Sequence, residues 1–488
     1  MLRTTMDLRR LALVVLAVAV AVVGEFGGSS YANVMTFDVK RKFSGKAKNL
    51  SALKAHDYRR HGRLLSAVNV DLPIGNPSKD YYVQVDTGSD ILWVNCAGCD
   101  KCPKKSDLGI GLTLYNPKGS STSSLVYCDQ DFCTSTYDGQ LPGCKPNIQC
   151  QYNVVYGDGS STAGYFVKDT VHLQQVTGNL QTGSTKWDRI QKRDPAHLEL
   201  IFLLPLLSYL GLYGCTSSEA LDGILGFGQA NSSMLSQLAA AGKVKKIFAH
   251  CLDNTDGGGI FAIGEVVSPK VNTTPMVPNQ AHYNVVMKAV EVGDSVIDLP
   301  SDIFDSGDRK GTIIDSGTTL AYLPSTIYQP LMDKILAQLP SLRLHTVENE
   351  FSCFQFSDNV DDAFPVVKFH FEDSLVLTVY PHEYLFQIRD DAWCFGWQNS
   401  EMQSKDGKDM ILLGDLVLSN KLVVYDIENQ TIGWTEYNCT SSIKVKDASS
   451  GVVYSVGAHD IGSASSLTFG GILTFLSILI ALLHTSIA

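Results

Sequence analysis

Basic charge is in short supply. Against 50 Asp and Glu there are 39 Lys and Arg, a formal net charge of −11, so the chain lacks the positive surplus of a nucleic-acid binder and no such partner is expected. Charge of either sign is also modest, at 18% of residues, which excludes a disordered polyelectrolyte. No histidine lies near Cys96-x-x-Cys99-x-x-Cys102, so these thiols are weak candidates for a zinc site, and neither metal nor cofactor is expected. Helical patterns are few, chiefly Ser233 to Ala241 and Pro324 to Leu339.

Strand signals fill the space that helices leave. Tyr81-Tyr82-Val83-Gln84-Val85, the run Gln151 to Tyr156 and Lys421-Leu422-Val423-Val424-Tyr425 are rich in β-branched and aromatic residues and stop at Gly or Asp. With 488 residues the chain is long enough for several domains or for one large two-lobed enzyme with real cores.

Both ends carry export signals. Arg3, Arg9 and Arg10 precede an apolar run from Leu11 to Val23 and then small residues, the pattern of a secretory signal peptide over residues 1–24. Secretion admits disulfides, and twelve cysteines fit six bridges of undetermined connectivity: Cys96, Cys99, Cys102, Cys128, Cys133, Cys144, Cys150, Cys215, Cys251, Cys353, Cys394 and Cys439. Residues 25–67 are locally basic, with Lys40, Arg41, Lys42, Lys46, Lys48, Arg59, Arg60 and Arg63. They suit a propeptide that sits in an acidic cleft until acidification weakens the attraction. After Cys439, residues 441–466 form a small polar linker, and residues 467–488 end in an uncharged hydrophobic tail. Small residues at Gly462 to Ser466 ahead of that tail match a glycosylphosphatidylinositol anchor signal, and no Lys or Arg follows to mark the cytoplasmic side of a retained span. Export also makes Asn231, Asn272, Asn429 and Asn438 glycosylation acceptors, each two residues before Ser or Thr.

The chemistry lies in a weak internal repeat. Asp86-Thr87-Gly88-Ser89 follows one apolar strand and Asp315-Ser316-Gly317-Thr318 follows another, Thr312-Ile313-Ile314. Either motif alone means little; two of the same form at strand ends are specific. Hydrolysis of a peptide bond needs a base for water and an acid for the carbonyl oxygen. Two carboxyls held close cannot easily both ionise, so one pair supplies both. The glycines allow a tight turn beneath each carboxylate, and the hydroxyls of Thr87, Ser89, Ser316 and Thr318 can hold its oxygens.

Over about Leu64 to Cys439 the chain resembles the pepsin-like aspartic proteases. Beyond the two aspartates, Trp93 in Ile91-Leu92-Trp93-Val94 is similar to the family's flap-supporting tryptophan, and Tyr156-Gly157-Asp158-Gly159-Ser160 to the tip of the flap that closes over substrate. Gly223-Ile224-Leu225-Gly226-Phe227-Gly228 and Ile411-Leu412-Leu413-Gly414-Asp415 resemble the segments that complete each active-site loop. The cysteine-rich stretch from Cys96 to Cys150 and the anchor-like tail further resemble the plant, secreted or GPI-anchored branch. The resemblance implies an all-β bilobal fold with one catalytic aspartate per lobe, residues 68–276 and 277–440. It implies an endopeptidase acting at acid pH without a covalent intermediate, in which Tyr156, Gly157, Asp158, Gly88, Gly317, Thr318 and Trp93 shape the substrate cleft. The expected protein is a monomer of the secretory pathway or cell surface. Its partners would be polypeptide substrates, its own propeptide and, through the lipid, the membrane. The rival expectation is a pepsin-like binding or inhibitor protein without activity.

Two segments depart from the family pattern. Lys186 to Gly214 holds an apolar run, Leu198 to Leu212 with Pro205 inside, that shows neither strand nor helix periodicity, and the region before Asp86 is short. The expectation is an alternative splice form or a gene-model error, with a lost strand and an unstable or inactive first lobe as its consequence.

Overall fold

A computed structural model describes residues 34–37, 69–99, 112–155, 161–175, 195–209, 222–253, 259–304, 311–347, 351–389, 391–400, 409–448 and 450–457. The signal peptide, most of the basic segment, the terminal tail, Tyr156, Gly157, Asp158, Cys102 and Cys215 lie outside the described residues.

The strand signals hold: the three runs become Lys79–Asp86, Gln151–Val155 and Lys421–Asp426. The two helical patterns become Met234–Ala240 and Ser325–Ala337. Ser233 caps the first, its Oγ accepting from Ser236 N at 3.2 Å, and the second buries one face through Ile327, Leu331, Met332 and Ile335.

The fold is all-β and bilobal, and one sheet runs through both halves of the chain. Lys421–Asp426, from the second half, pairs antiparallel with Ile247–Leu252, from the first, so residue 276 is no clean divide. The sheet continues through Gly259–Ile263, Met35–Phe37, Ser161–Gln175, Asn69–Ile74, Lys79–Asp86, Gly223–Gly226 and Trp93–Val94 to Pro195–Tyr209. The second lobe adds a five-stranded sheet in the order Asn284–Val285, Thr312–Ile314, Ile411–Leu413, Ala321–Leu323, Trp397–Asn399, with two four-stranded sheets beside it. Four disulfides lie among the described residues: Cys128–Cys144, Cys133–Cys150, Cys353–Cys394 and Cys251–Cys439, the last closing a loop of 188 residues. Cys99 is disulfide-bonded too.

Three segments differ from their sequence reading. Pro195–Tyr209, inside the stretch that showed no period, is a strand that pairs along Ser161–Gln175 from Gln174↔Pro195 to Ser161↔Tyr209 and reaches Leu203 beside Trp93. The expected loss of a strand therefore does not occur. The ladder slips by one residue between Ala163 and Gly164, where Gly164 faces Pro205. A proline cannot donate to a ladder, so a bulge beside it keeps the rest in register, and its interruption of the pattern hides the strand from sequence. Ser442–Lys446 and Val453–Gly457, within the segment taken as linker, pair with each other and, through the first, with Glu265–Ser268. Their apolar members Ile443, Val445, Tyr454 and Val456 alternate with polar ones and pack on Ile260, Leu422 and Val424.

Finally, the described part of the basic segment does not lie in a cleft. Met35–Phe37 is a strand between Gly259–Ile263 and Ser161–Gln175, with Val34 and Met35 fully buried. The Lys and Arg residues on which the charge argument rests lie outside the described residues. Met35→Ala is expected to destabilise the full chain by about 2–5 kcal/mol, read as a lower urea midpoint. Protein from which residues 25–67 have been removed should show no such difference.

Candidate catalytic site

Each aspartate is delivered by the same local construction. Lys79–Asp86 runs parallel to Gly223–Gly226, and Thr312–Ile314 runs parallel to Ile411–Leu413. In both lobes a strand from beyond the aspartate returns antiparallel on the other side of that apolar strand, Trp93–Val94 in the first and Ala321–Leu323 in the second. The loop carrying the aspartate must pass over the end of the apolar strand, and glycine is what lets it. A Cβ at Gly226 would sit 2.3 Å from the carbonyl carbon of Asp90, and one at Gly414 would sit 2.4 Å from the Thr318 oxygen. The sequence repeat is thus a structural repeat, one copy per lobe.

The two carboxylates meet where the loops face each other. Asp86 and Asp315 are fully buried. A Cβ placed on Gly317 would lie 2.1 Å from Asp86 Oδ1, and one on Gly88 would lie 2.6 Å from Asp315 Oδ2. Each motif's glycine therefore lies against the carboxylate of the other motif. Within each motif the backbone N–H two residues on donates to the carboxylate: Gly88 N to Asp86 Oδ1 at 2.9 Å and Gly317 N to Asp315 Oδ1 at 2.8 Å. The hydroxyl three residues on takes the other oxygen, Ser89 on Asp86 Oδ2 and Thr318 on Asp315 Oδ2, the latter at 2.8 Å.

Three bonds cross between the lobes from the first aspartate's strand and loop. Thr87 Oγ1 donates to Asp315 Oδ1 at 3.3 Å and accepts from Ser316 N at 2.8 Å, while Gln84 Nε2 donates to Gly317 O at 3.3 Å. One expectation changes. Ser316 supports the pair through its backbone N–H; its buried Oγ has no hydrogen-bond partner among the described residues. Thr318 is fully buried, as the two aspartates are, and its hydroxyl holds Asp315, so it occupies the place of Ser89. Its side chain points back because a tight turn of this length brings the third residue over the first.

Trp93 is half-buried and packs against the cluster of Val126, Tyr152 and Phe166. Tyr152 lies on Gln151–Val155, which forms a hairpin with Ser161–Gln175 in the register Val155↔Ser161. Trp93 therefore braces the root of the hairpin whose connecting residues, 156–160, include the three flap residues named from sequence.

Sequence reading missed Gln84, Asp90, Tyr283 and Tyr425. Asp90 Oδ1 accepts from Ala230 N at 2.9 Å, and Tyr283 Oη donates to Phe227 O at 2.6 Å, both tying the first loop to its surroundings. Burial pushes the hydroxyl pKa values of Tyr283 and Tyr425 well above the usual tyrosine range, so both stay neutral donors. For Gln84 a signal existed: a polar side chain two residues before Asp86 on the same strand shares its face and is buried.

Comparison with known proteins agrees with this construction. A family model described as Xylanase inhibitor N-terminal matches residues 69–265, and one described as Xylanase inhibitor C-terminal matches residues 282–436. Aspartic proteinase 36 of Arabidopsis thaliana is 52% identical over 501 residues, covering 99% of each chain. Aspartic proteinase 39 of the same plant is 48% identical over 509 residues, covering 99% of this chain and 100% of its own. The chain belongs to the plant pepsin-like aspartic proteinase family. Among solved structures, that of Basic 7S globulin from soybean shares the fold with a TM-score of 0.59 at 18% identity, over 84% of this chain and 98% of that one. In this architecture each lobe contributes one aspartate loop, and the two loops are tied to each other by the bonds of Thr87 and Gln84.

Proposed function

We propose that this pepsin-like proteinase is an endopeptidase active at acid pH, with Asp86 and Asp315 as its catalytic pair. The observation that carries the reading is the reciprocal approach of each motif's glycine to the other motif's carboxylate, which puts two buried carboxyls at one place. Two carboxyls in one site cannot both ionise readily, as in aspartic proteases generally, so they share a proton below neutral pH. The ionised member removes a proton from the attacking water, and the protonated one donates to the carbonyl oxygen of the scissile bond. Water then adds to the carbonyl carbon, the amine leaves with a proton, and the dyad ends in its starting charge state.

Residues 1–24 act in this reading as a signal peptide, residues 25–67 as a propeptide and residues 467–488 as a GPI-anchor signal, which places the enzyme at the cell surface. Exposure of Asn231, Asn272, Asn429 and Asn438 supports their use as glycosylation sites. Gly88, Gly317 and the flap residues Tyr156, Gly157 and Asp158 supply the contacts to a peptide backbone.

The test is cleavage of a quenched peptide library by purified protein between pH 3 and 7, with and without pepstatin. Acid-optimal cleavage that pepstatin stops is the expected result. A monomeric, cooperatively folded, propeptide-free sample that cleaves nothing would overturn the reading in favour of a binding protein.

A further inference from the structure

Among the described residues lies a cavity of about 370 Å³ that the mechanism above does not use. Asn272–Pro275 and Thr431–Glu436 border it, and so does the turn that joins Val367–Phe371 to Val376–Val379. Asn272–Pro275 stands at one end of the large sheet's strand order, and Asn272 pairs with Trp434 across the ladder. Opposite residues of an antiparallel pair project to the same side, so the Asn272 side chain stands beside the indole. The far wall is the turn Glu372–Ser374. Two consecutive residues there, Asp373 at φ 55° and Ser374 at φ 60°, hold the left-handed conformation without being glycine.

The lining selects a class of ligand. Leu375, Trp434 and Lys421 are buried, whereas Ser374 and Glu436 are exposed. The Lys421 ammonium is already matched: it donates to Glu383 Oε2 at 2.6 Å and to Ser419 O at 3.2 Å. With that charge balanced and the Glu436 carboxylate at the rim, the cavity has no positive surplus with which to hold an anion. The indole N–H of Trp434 donates to Val376 O at 2.9 Å, so the ring offers the cavity carbon surface. An apolar floor beneath a rim of hydroxyls and one carboxylate suits a neutral ligand with a C–H face and many hydroxyls, which is the chemistry of a sugar.

A sugar has its attachment point at the same rim. Asn272 is exposed and opens the acceptor motif Asn272-Thr273-Thr274. The third residue of that motif points to the same modification. Thr274 lies on the same face two residues on, fully buried opposite Ile432, and its Oγ1 has no hydrogen-bond partner among the described residues. A buried hydroxyl without a partner lowers the stability of the fold. Glycan transfer, by contrast, requires that hydroxyl and can read it only before the strand is buried.

We propose that this cavity is the seat of the glycan on Asn272. The first N-acetylglucosamine packs on Leu375 and Trp434 and is held at the rim by Ser374 and Glu436, which makes the sugar a part of the folded structure. The inference rests on the reading of Asn272 as a glycosylation site and deepens it.

The experiment uses the full chain from a glycosylating secretory host, with occupancy of Asn272 read from glycopeptide masses. In the native background Thr274→Val deletes the acceptor motif, and the thermal midpoint should fall by about 2–4 °C as the packed sugar is lost. In an Asn272→Gln background no sugar is present at the outset. There the same Thr274→Val only removes the orphan hydroxyl, and the midpoint should rise by about 1–2 °C. The change of sign separates the sugar from the strand that carries it. Release of glycans from folded wild type by a peptide N-glycosidase needs no variant. Asn272 should lose its glycan at least about tenfold more slowly than the other occupied sites, Asn429 in its exposed turn among them. If wild type carries the Asn272 glycan but Thr274→Val raises the midpoint in both backgrounds, or all sites are released at equal rates, the proposal is overturned and the glycosylation site stands. Should Thr274→Val not be secreted, the release rates decide alone. A wild type without sugar on Asn272 removes the proposal and that site together.

Discussion

Asp315→Asn is expected to abolish peptide cleavage, by roughly a thousand- to ten-thousand-fold in kcat, while the protein folds and keeps its cooperative thermal transition. An asparagine fills the same volume and its carbonyl oxygen can still accept from Gly317 N or Thr318 Oγ1, each 2.8 Å from the carboxylate now. It cannot take a proton from water, and it offers Asp86 no charge with which to share one. Activity should therefore not return at any pH between 3 and 7, which distinguishes loss of the dyad from a shift of its pKa values. Asp86→Asn should match it, because the pair works as a unit and single losses approach the whole effect. A variant retaining more than about a tenth of wild-type kcat would show that the chemistry lies elsewhere.

Gly317→Ala carries the second large effect. The added methyl would lie 2.1 Å from Asp86 Oδ1 and 3.0 Å from Asp315 Oδ1, inside contact distance of the whole dyad. Both aspartates are buried and tied by hydrogen bonds to their own loops, so neither can swing aside freely. The lobes must part or a carboxylate must turn, and a displacement near 1 Å at a reacting group costs on the order of a hundredfold in rate. Stability should fall by about 1–3 kcal/mol, as for other overpacked sites. Gly98→Ala is the matched control, since nothing lies within 4 Å of a Cβ there; its kcat and thermal midpoint should equal wild type. Steady-state kinetics beside a thermal melt separate the two effects, and full activity in Gly317→Ala would mean that the carboxylates lie further apart than described.

The plant proteinase relatives and the two family models bear on the fold and the family; what decides activity in this chain is the state of the dyad itself. The substitutions above address that directly.

Local chemistry fixed much of the outcome before any folding. Alternating and β-branched runs specified strands such as Lys79–Asp86 and Lys421–Asp426, because side-chain burial on a pleated surface has a two-residue period. Ser233 and the spacing of Ile327, Leu331 and Ile335 specified helices. The two Asp-x-Gly-Ser/Thr motifs specified how each carboxylate is held, since the N–H two residues on and the hydroxyl three residues on are local partners. Tertiary structure decided what depends on residues distant in the chain. Thr87 meets Ser316 across 229 positions and Gln84 meets Gly317 across 233, distances at which no periodicity or spacing carries a signal. Pro195–Tyr209 became a strand because a fifteen-residue partner offered it a ladder with a bulge at Pro205, although its own pattern specified nothing. Met35–Phe37 joined the sheet, and Ser442–Lys446 packed on its back, because a gap in a ladder and an uncovered apolar face are properties of the assembled sheet alone. Tyr425 and His250 carry the same lesson. Each reads locally as a buried strand residue, and only the pairing of two strands from opposite halves of the chain brings His250 Nε2 within 3.2 Å of Tyr425 Oη.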